Sequence, residues 1–261
     1  ETIEKVIRFE VVRLMSCYCA VLLNVLNEIG LSEMAGSVPP YNAYRPDGGA
    51  EGSDVDIARA LARDLGVRLE IVRVINSERV AVLLARRADL VISALSITPE
   101  REQQVGFSIP YARLYVVLAG RPALRVNGYA DLAGLEVGVT RNTASGALVA
   151  RFAPRARLVA FDSDMLLIEA AVAGRLDLFS TQNAVLDAVN HRAGYKMFEE
   201  KFVQQEFDVA IAMPRGEKAL RAWVNGWVFA QLQNGRLNEL FRRHHGHDLP
   251  ADLRPAAGGG R

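Results

Sequence analysis

The sequence predicts an α/β protein built in two similar lobes, and three features carry that prediction. From residue 53 onward, apolar strands alternate with amphipathic helices, the pattern of mostly parallel sheets flanked by helices. The alternation pauses after an apolar strand from Leu114 to Ala119, at Gly120-Arg121-Pro122, and then restarts. Two segments also echo one another: ARRADLVIS (85–93) and AGRLDLFS (173–180) each read as helix end, basic turn, aspartate, apolar strand, serine. In open α/β sheets the carboxyl ends of such strands are where ligands bind. A chain of 261 residues, half of them hydrophobic, is long enough for two lobes of about 100–130 residues with real cores.

In chain order, the first 30 residues are the least typical. The uncharged stretch LMSCYCAVLLNVLN lies between Arg13 and Glu28. It fits either the apolar part of a secretory signal, with Lys5, Arg8 and Arg13 before it, or an amphipathic helix with Ile7, Val11, Leu14, Tyr18, Leu22 and Val25 on one face. The chain starts with Glu, which implies processing or a fragment. Val38-Pro39-Pro40-Tyr41 reads as a rigid turn presenting Tyr41, and Pro46-Asp47-Gly48-Gly49 as a second turn. Ser53 or Asp54 caps a helix bearing Ile57, Leu61 and Leu65, which Gly66 ends. Asp54 and Asp56 read as cap and surface residues. A strand through Val67, Leu69 and Ile71 follows, then a helix marked by Val80, Leu83 and Leu84, then a strand from Asp89 to Ser93.

The second half repeats the scheme. Leu135–Val139 is a strand, and Asn142-Thr143 precedes a helix. Arg157–Phe161 is a strand, Asp162 or Ser163 caps a helix through Ala173, and Asp177–Ser180 is a strand. Gln182-Asn183 begins another helix. Asp208–Met213 is a strand able to cross back, Leu220–Phe241 a long amphipathic helix with Trp223, Trp227 and Phe229, and Pro250–Arg261 a polar Gly/Pro-rich tail.

One stretch, Asp89 to Tyr111 (DLVISALSITPEREQQVGFSIPY), concentrates chemistry. Its strand breaks into the polar turn Ser96-Ile97-Thr98. A helix start follows, with Thr98 as cap, Pro99 first and Glu100 favoured by the helix dipole. Arg101 comes next. Free backbone N–H groups, two hydroxyls and a guanidinium at one strand end make a carboxylate site, with the arginine as a bidentate clamp.

Other functions find little support. The net charge is +1 with signs interleaved, so no nucleic-acid footprint is present. Cys17 and Cys19 are spaced neither for a mutual disulfide nor for zinc. No uncharged apolar run reaches 18 residues. Nucleophile-elbow, zinc-protease and P-loop motifs are missing. His244-His245-Gly246-His247 reads as ordinary cations ending a last helix rather than a metal site.

Four segments in this order and spacing then carry a resemblance: SDVDIARALARDLGVRLEIV, RADLVISALSITPEREQQVGFSIPY, GRLDLFSTQNAVL and NGRLNELFRRHHGHDLP. Across residues 38–251 the chain resembles the family 3 extracytoplasmic solute-binding proteins of polar amino-acid ABC transporters, with the type II periplasmic-binding fold. The resemblance implies two lobes, each a mostly parallel sheet flanked by helices, joined by two crossing strands. It places residues 1–30 outside the lobes, 31–118 plus 212–251 in lobe 1, 119–211 in lobe 2 and 252–261 in a tail. It implies that Arg101 grips a ligand carboxylate, Ser96 assists it, and the Ala94 carbonyl meets the ligand's ammonium. Thr143 closes from lobe 2, and Tyr41 walls the site. Gln182 stands where an aspartate usually holds the ammonium, so the ligand lacks that group or another acid reaches in. The segment Leu31–Ser37, where a first strand is expected, is a poor strand. The implied protein is a monomeric, non-enzymatic, cofactor-free binder of a small molecule, located in the periplasm or otherwise outside the cytoplasm, with a membrane permease as partner. The competing expectations are a dehydratase on the same scaffold and a sensor domain of a receptor.

Overall fold

The computed structural model describes residues 20–22, 40–45 and 48–253. Along the chain run β1 (Ala20–Leu22), β2 (Ala43–Tyr44), β3 (Ala50–Glu51), α1 (Ser53–Leu65), β4 (Glu70–Val72), α2 (Arg79–Leu84), β5 (Leu90–Val91), α3 (Pro99–Glu102) and β6 (Val105–Gly120). There follow β7 (Glu136–Thr140), α4 (Ala144–Phe152), β8 (Arg157–Phe161), α5 (Asp164–Val172), β9 (Leu178–Gln182), α6 (Asn183–Ala193), β10 (Glu199–Pro214), α7 (Lys218–Gln233) and α8 (Arg236–His245).

β6 and β10 organise these elements. Each has 16 residues, about 50 Å of extended chain, and they pair antiparallel from end to end. The main sheet has the order β4-β1-β5-β10-β6-β9-β7-β8. β1, β4 and β5 run parallel on one side and form the sheet of lobe 1; β7, β8 and β9 do the same in lobe 2. The ribbon therefore belongs to both lobes and joins them. Four register shifts along β10 bend it, since a bulged residue raises local twist. Pro110, which lacks an N–H, sits beside one of them, opposite Ala210.

Helices cover both faces of each half-sheet. In lobe 1, Ile57 and Leu61 of α1 pack with Ile92, Tyr111, Val209, Trp227 and Phe241. In lobe 2, Phe179 meets Phe198 edge-on, with ring centres 4.9 Å apart, among Leu167, Ile168 and Val185.

Several boundaries differ from the sequence reading. β10 begins at Glu199 rather than Asp208, because EEKFVQQEF is a half-exposed ribbon that carries no apolar run. The helix expected over Leu220–Phe241 is two helices. Gly235 adopts φ 78°, closes α7 and opens α8, with the Arg236 N–H donating to Asn234 Oδ1 at 3.0 Å. α8 thereby turns back, and Leu237 and Phe241 join the core. The first strand of the sheet is Ala20–Leu22, within the run weighed as signal remnant or helix. The rest of residues 1–39, including Cys17, Cys19 and Leu31–Ser37, lies outside the described residues, as do 254–261 of the tail. Asp252, at the start of that tail, pairs with Arg113 at 2.8 Å.

Neither Ser53 nor Asp54 caps α1. Gly52 occupies the cap at φ 119°, ψ 170° and supplies no side chain, while both expected caps are buried and engaged elsewhere. Ser53 Oγ lies 3.0 Å from His245 Nε2. The Ser53 and Asp54 N–H groups donate to the Pro40 and Tyr41 carbonyls at 3.0 and 2.9 Å. The turn at Pro40-Tyr41 is thus sewn onto the start of α1.

Candidate functional site

The cleft lies between the lobes, beside the ribbon. Its lobe 1 wall begins where β5 ends. Ala94 holds φ 43°, unusual for a residue with a Cβ. Its N–H donates to Asp54 Oδ2 at 2.8 Å, and the Tyr111 hydroxyl donates to Asp54 Oδ1 at 2.8 Å. Leu95 and Ile97 are pinned to β10 through Ala210 N–H and the Asp208 carbonyl. Thr98 then caps α3, its Oγ1 accepting from the Arg101 N–H at 3.3 Å. This fixes where the Arg101 side chain leaves the backbone.

Arg101 is 8% exposed. Its Nη1 donates to the Ser96 carbonyl at 2.9 Å, and its Nη2 donates across the cleft to the Asn142 carbonyl at 3.1 Å. No carboxylate among the described residues pairs with it. Burial, and then the neighbouring Arg79 guanidinium, push it down to about 9, so it remains a cation at neutral pH. Arg79, 6% exposed, donates from Nε to the Asn76 carbonyl at 3.0 Å and from Nη1 to the Ser93 carbonyl at 2.6 Å. Burial lowers its pKa as well, against the fields of Asp164 and Asp54, which raise it.

The lobe 2 wall comes from the turn after β7, the start of α5 and the end of β9. Asn142 holds φ 54°, a conformation Asn tolerates, and its Nδ2 donates to the Ser77 carbonyl of lobe 1 at 3.1 Å. Thr143 caps α4, accepting from the Gly146 N–H at 3.3 Å and lying 2.9 Å from Ser145 Oγ. Asp164 accepts from Thr140 Oγ1 at 2.6 Å and from Asn76 Nδ2 of lobe 1 at 2.9 Å. Burial raises its pKa, opposed by the Thr140 hydroxyl, Arg79 and Asn76. Gln182 lies at the end of β9. Its Oε1 is buried and has no hydrogen-bond partner among the described residues. Four contacts thus bridge the lobes (Arg101–Asn142, Asn142–Ser77 and two between Asn76 and Asp164), so the structure is a closed form.

Arg101, Ser96, Ala94, Thr143 and Gln182 all line this cleft, with Leu114 and Val116 of the ribbon as its apolar floor. Tyr41 does not line it. The backbone bonds between its turn and α1 point its ring away, against His245 at 4.6 Å between centres. Sequence reasoning missed Arg79, Asp164, Ser145 and Thr181, which also line the cleft. An arginine opening an otherwise apolar helix, RVAVLL, was the available sign for Arg79.

Asp54 is a second correction. It is fully buried rather than a surface residue, and it holds Ala94 and Tyr111 in place. Burial pushes its carboxyl up to about 7, against the Tyr111 hydroxyl, the Ala94 N–H and Arg79. The native state therefore holds a proton that the unfolded chain releases near pH 3.8, and stability falls as pH rises from about 4 through 7. Three pKa units correspond to about 4 kcal/mol. Asp54→Asn can accept from Ala94 and donate to Tyr111, and it has no charge to bury. Its melting temperature, measured from pH 5 to pH 8, is expected to fall less than that of the wild type; parallel profiles would refute the assignment.

The three C-terminal histidines hydrogen-bond to different partners. His244 pairs with Asp56 at 2.8 Å, and His247 Nδ1 lies 3.0 Å from the Asp248 carbonyl. His245 stacks on Phe241 at 3.7 Å, and burial lowers its pKa to about 3. Among the described residues no three ligating side chains lie together as a metal site.

Two lobes on a shared two-strand ribbon, closing on a buried arginine, define a solute-binding clamp. The sequence signature of the bacterial extracellular solute-binding proteins, family 3, matches residues 33–247, and the chain belongs to that family. Among curated relatives, the cyclohexadienyl dehydratase of Pseudomonas aeruginosa is 30% identical over 234 residues, covering 83% of each chain. The L-arginine-binding protein of the same organism is 27% identical over 228 residues, covering 81% of this chain and 85% of the relative. Among solved structures, a mutant of ArgBP from T. maritima superposes with a TM-score of 0.78 at 25% identity, covering 90% of this chain and 97% of that one. The fold is the type II periplasmic-binding fold.

Proposed function

We propose that the protein captures a small carboxylate, an amino acid or a related acid, outside the cytoplasm and presents it to the membrane permease of an ABC transporter. The observation that carries this reading is Arg101: a buried, well-oriented guanidinium without a carboxylate partner among the described residues. Leaving a cation in a dry site is costly, and an incoming carboxylate supplies both the opposite charge and a bidentate acceptor. Ser96 and Thr143 flank that end from opposite lobes. The ligand would dock on lobe 1 and be enclosed as lobe 2 brings Asn142, Thr143 and Gln182 across, with the ribbon as hinge. The enclosed form is the state a permease would recognise. Micromolar binding requires about 8 kcal/mol, of which the Arg–carboxylate contact can supply a large share.

The test is mass spectrometry of small molecules released when the purified protein is denatured, followed by titration of refolded protein with each. A carboxylic acid binding at one site per chain is expected. A neutral or cationic solute, or none of the released acids rebinding, would refute the reading.

A second reading, a dehydratase, is favoured by the relative from P. aeruginosa. Eliminating water requires a carboxyl or other acid free to move a proton in the cleft. Among the described residues Asp164 is the only carboxyl lining the cleft, and Thr140 and Asn76 occupy both of its oxygens. This supports a binding protein over an enzyme. Aromatisation of a cyclohexadienyl acid by the purified protein, followed by ultraviolet absorbance, would reverse that preference.

A further inference from the structure

The charges facing the cleft do not cancel. Arg79 lies in the fields of Asp164 and Asp54, which offset part of the cost of its burial. Asp164 is itself 4% exposed, with one oxygen held by Thr140 and the other by Asn76. Glu100 is exposed and opens only onto the outer mouth of the cleft. Arg101 is left as an unmatched cation, and among the described residues no unmatched anion faces it. Among the described side chains that line the cleft, one neutral acceptor is left: Gln182 Oε1, buried and without a partner, at the end of β9 where the ribbon crosses.

A zwitterionic amino acid suits such a cleft poorly. Its carboxylate would find Arg101, but its ammonium would leave water for a carbonyl dipole, and a charged donor loses more on desolvation than a neutral acceptor returns. A monoanion carrying one neutral donor beside the carboxylate satisfies both ends. A 2-oxo acid has the charge and lacks the donor. We infer that the cleft selects a small monocarboxylate bearing a hydroxyl or amide N–H next to the carboxylate, a 2-hydroxy acid or an N-acylated amino acid, with Gln182 accepting that hydrogen bond. Gln182 is thus the specificity-determining residue of the site. The inference rests on the carboxylate reading above.

The experiment uses the full chain, unfolded and refolded to remove bound solute, and matched trios: an L-amino acid, the corresponding 2-hydroxy acid and the N-acetyl derivative, for several side chains. Affinities are measured by calorimetry. In the wild type, the hydroxy or acetyl member is expected to bind at least tenfold more tightly than the amino acid of the same trio. Gln182→Asp should reverse the order by at least tenfold, since a charge-assisted bond to ammonium is about twice as strong as a neutral one. Gln182→Glu serves if the aspartate variant does not fold, and the wild-type ranking stands without either.

A wild type that prefers amino acids, with binding abolished by Arg101→Ala, overturns this inference and leaves the carboxylate reading intact. Loss of that binding in Asp164→Asn would then assign the ammonium to Asp164. Failure of every acid to bind, or binding indifferent to Arg101→Ala, overturns both.

Discussion

Arg101→Ala is expected to weaken binding of the carboxylate by at least about 3 kcal/mol, more than a hundredfold in Kd. In the complex the guanidinium and the carboxylate desolvate each other, and truncation strands the ligand's charge in a closed cleft. The ligand-free protein should behave differently. There the substitution loses two bonds to backbone carbonyls but also removes an uncompensated buried cation, so stability should stay within about 1 kcal/mol of the wild type. Arg101→Lys keeps the charge and loses the fork, and should fall between the two in affinity. Calorimetry on the ligand and thermal unfolding of the stripped protein separate these effects. Unchanged affinity in Arg101→Ala would remove this residue from the site.

Gly52→Ala is expected to destabilise the protein by more than about 4 kcal/mol, a large value for one methyl group. At φ 119°, ψ 170° the backbone is in a region open essentially only to glycine, worth about 1–3 kcal/mol of strain for another residue. The new Cβ would also stand 2.3 Å from the Tyr41 carbonyl oxygen and 2.8 Å from Asn42 Cα. These are backbone atoms, tied to α1 by the Ser53 and Asp54 N–H groups, so they cannot swing aside. The damage should spread from the turn to Asp54, and through it to Ala94 and the cleft. Chemical denaturation gives the stability difference, and a loss under 1 kcal/mol would show that the turn can yield.

The α/β fold and the meeting of Arg101, Ser96 and Gln182 in one cleft were legible because their signals are local. A strand, a polar turn, Thr98-Pro99 and an arginine two residues on specify a capped helix with a guanidinium at its mouth, and the structure supplies that arrangement. Arg79 and Asp164 were not legible. Each begins a helix, where a charged residue is unremarkable, and only the closing of one lobe on the other brings both to the cleft. Tyr41 failed for a related reason: proline fixes the turn, but the direction of the ring depends on bonds to a helix that starts twelve residues later. Gly235 was visible in the sequence, yet the apolar face continues on both sides of it, and periodicity alone does not register a change of axis.

Asn142 has a consequence for time as well as affinity. Its carbonyl receives Arg101 and its amide holds Ser77, so one left-handed residue couples the covering of the guanidinium to the shutting of the lobes. On the carboxylate reading, a bound acid is covered while Asn142 is seated, and parting the lobes breaks both Asn142 contacts. The residence time of such a ligand is then expected to follow the waiting time for the ribbon to flex. If the protein delivers its ligand as proposed, whatever pulls Asn142 away, thermal motion or a docked permease, would set the rate.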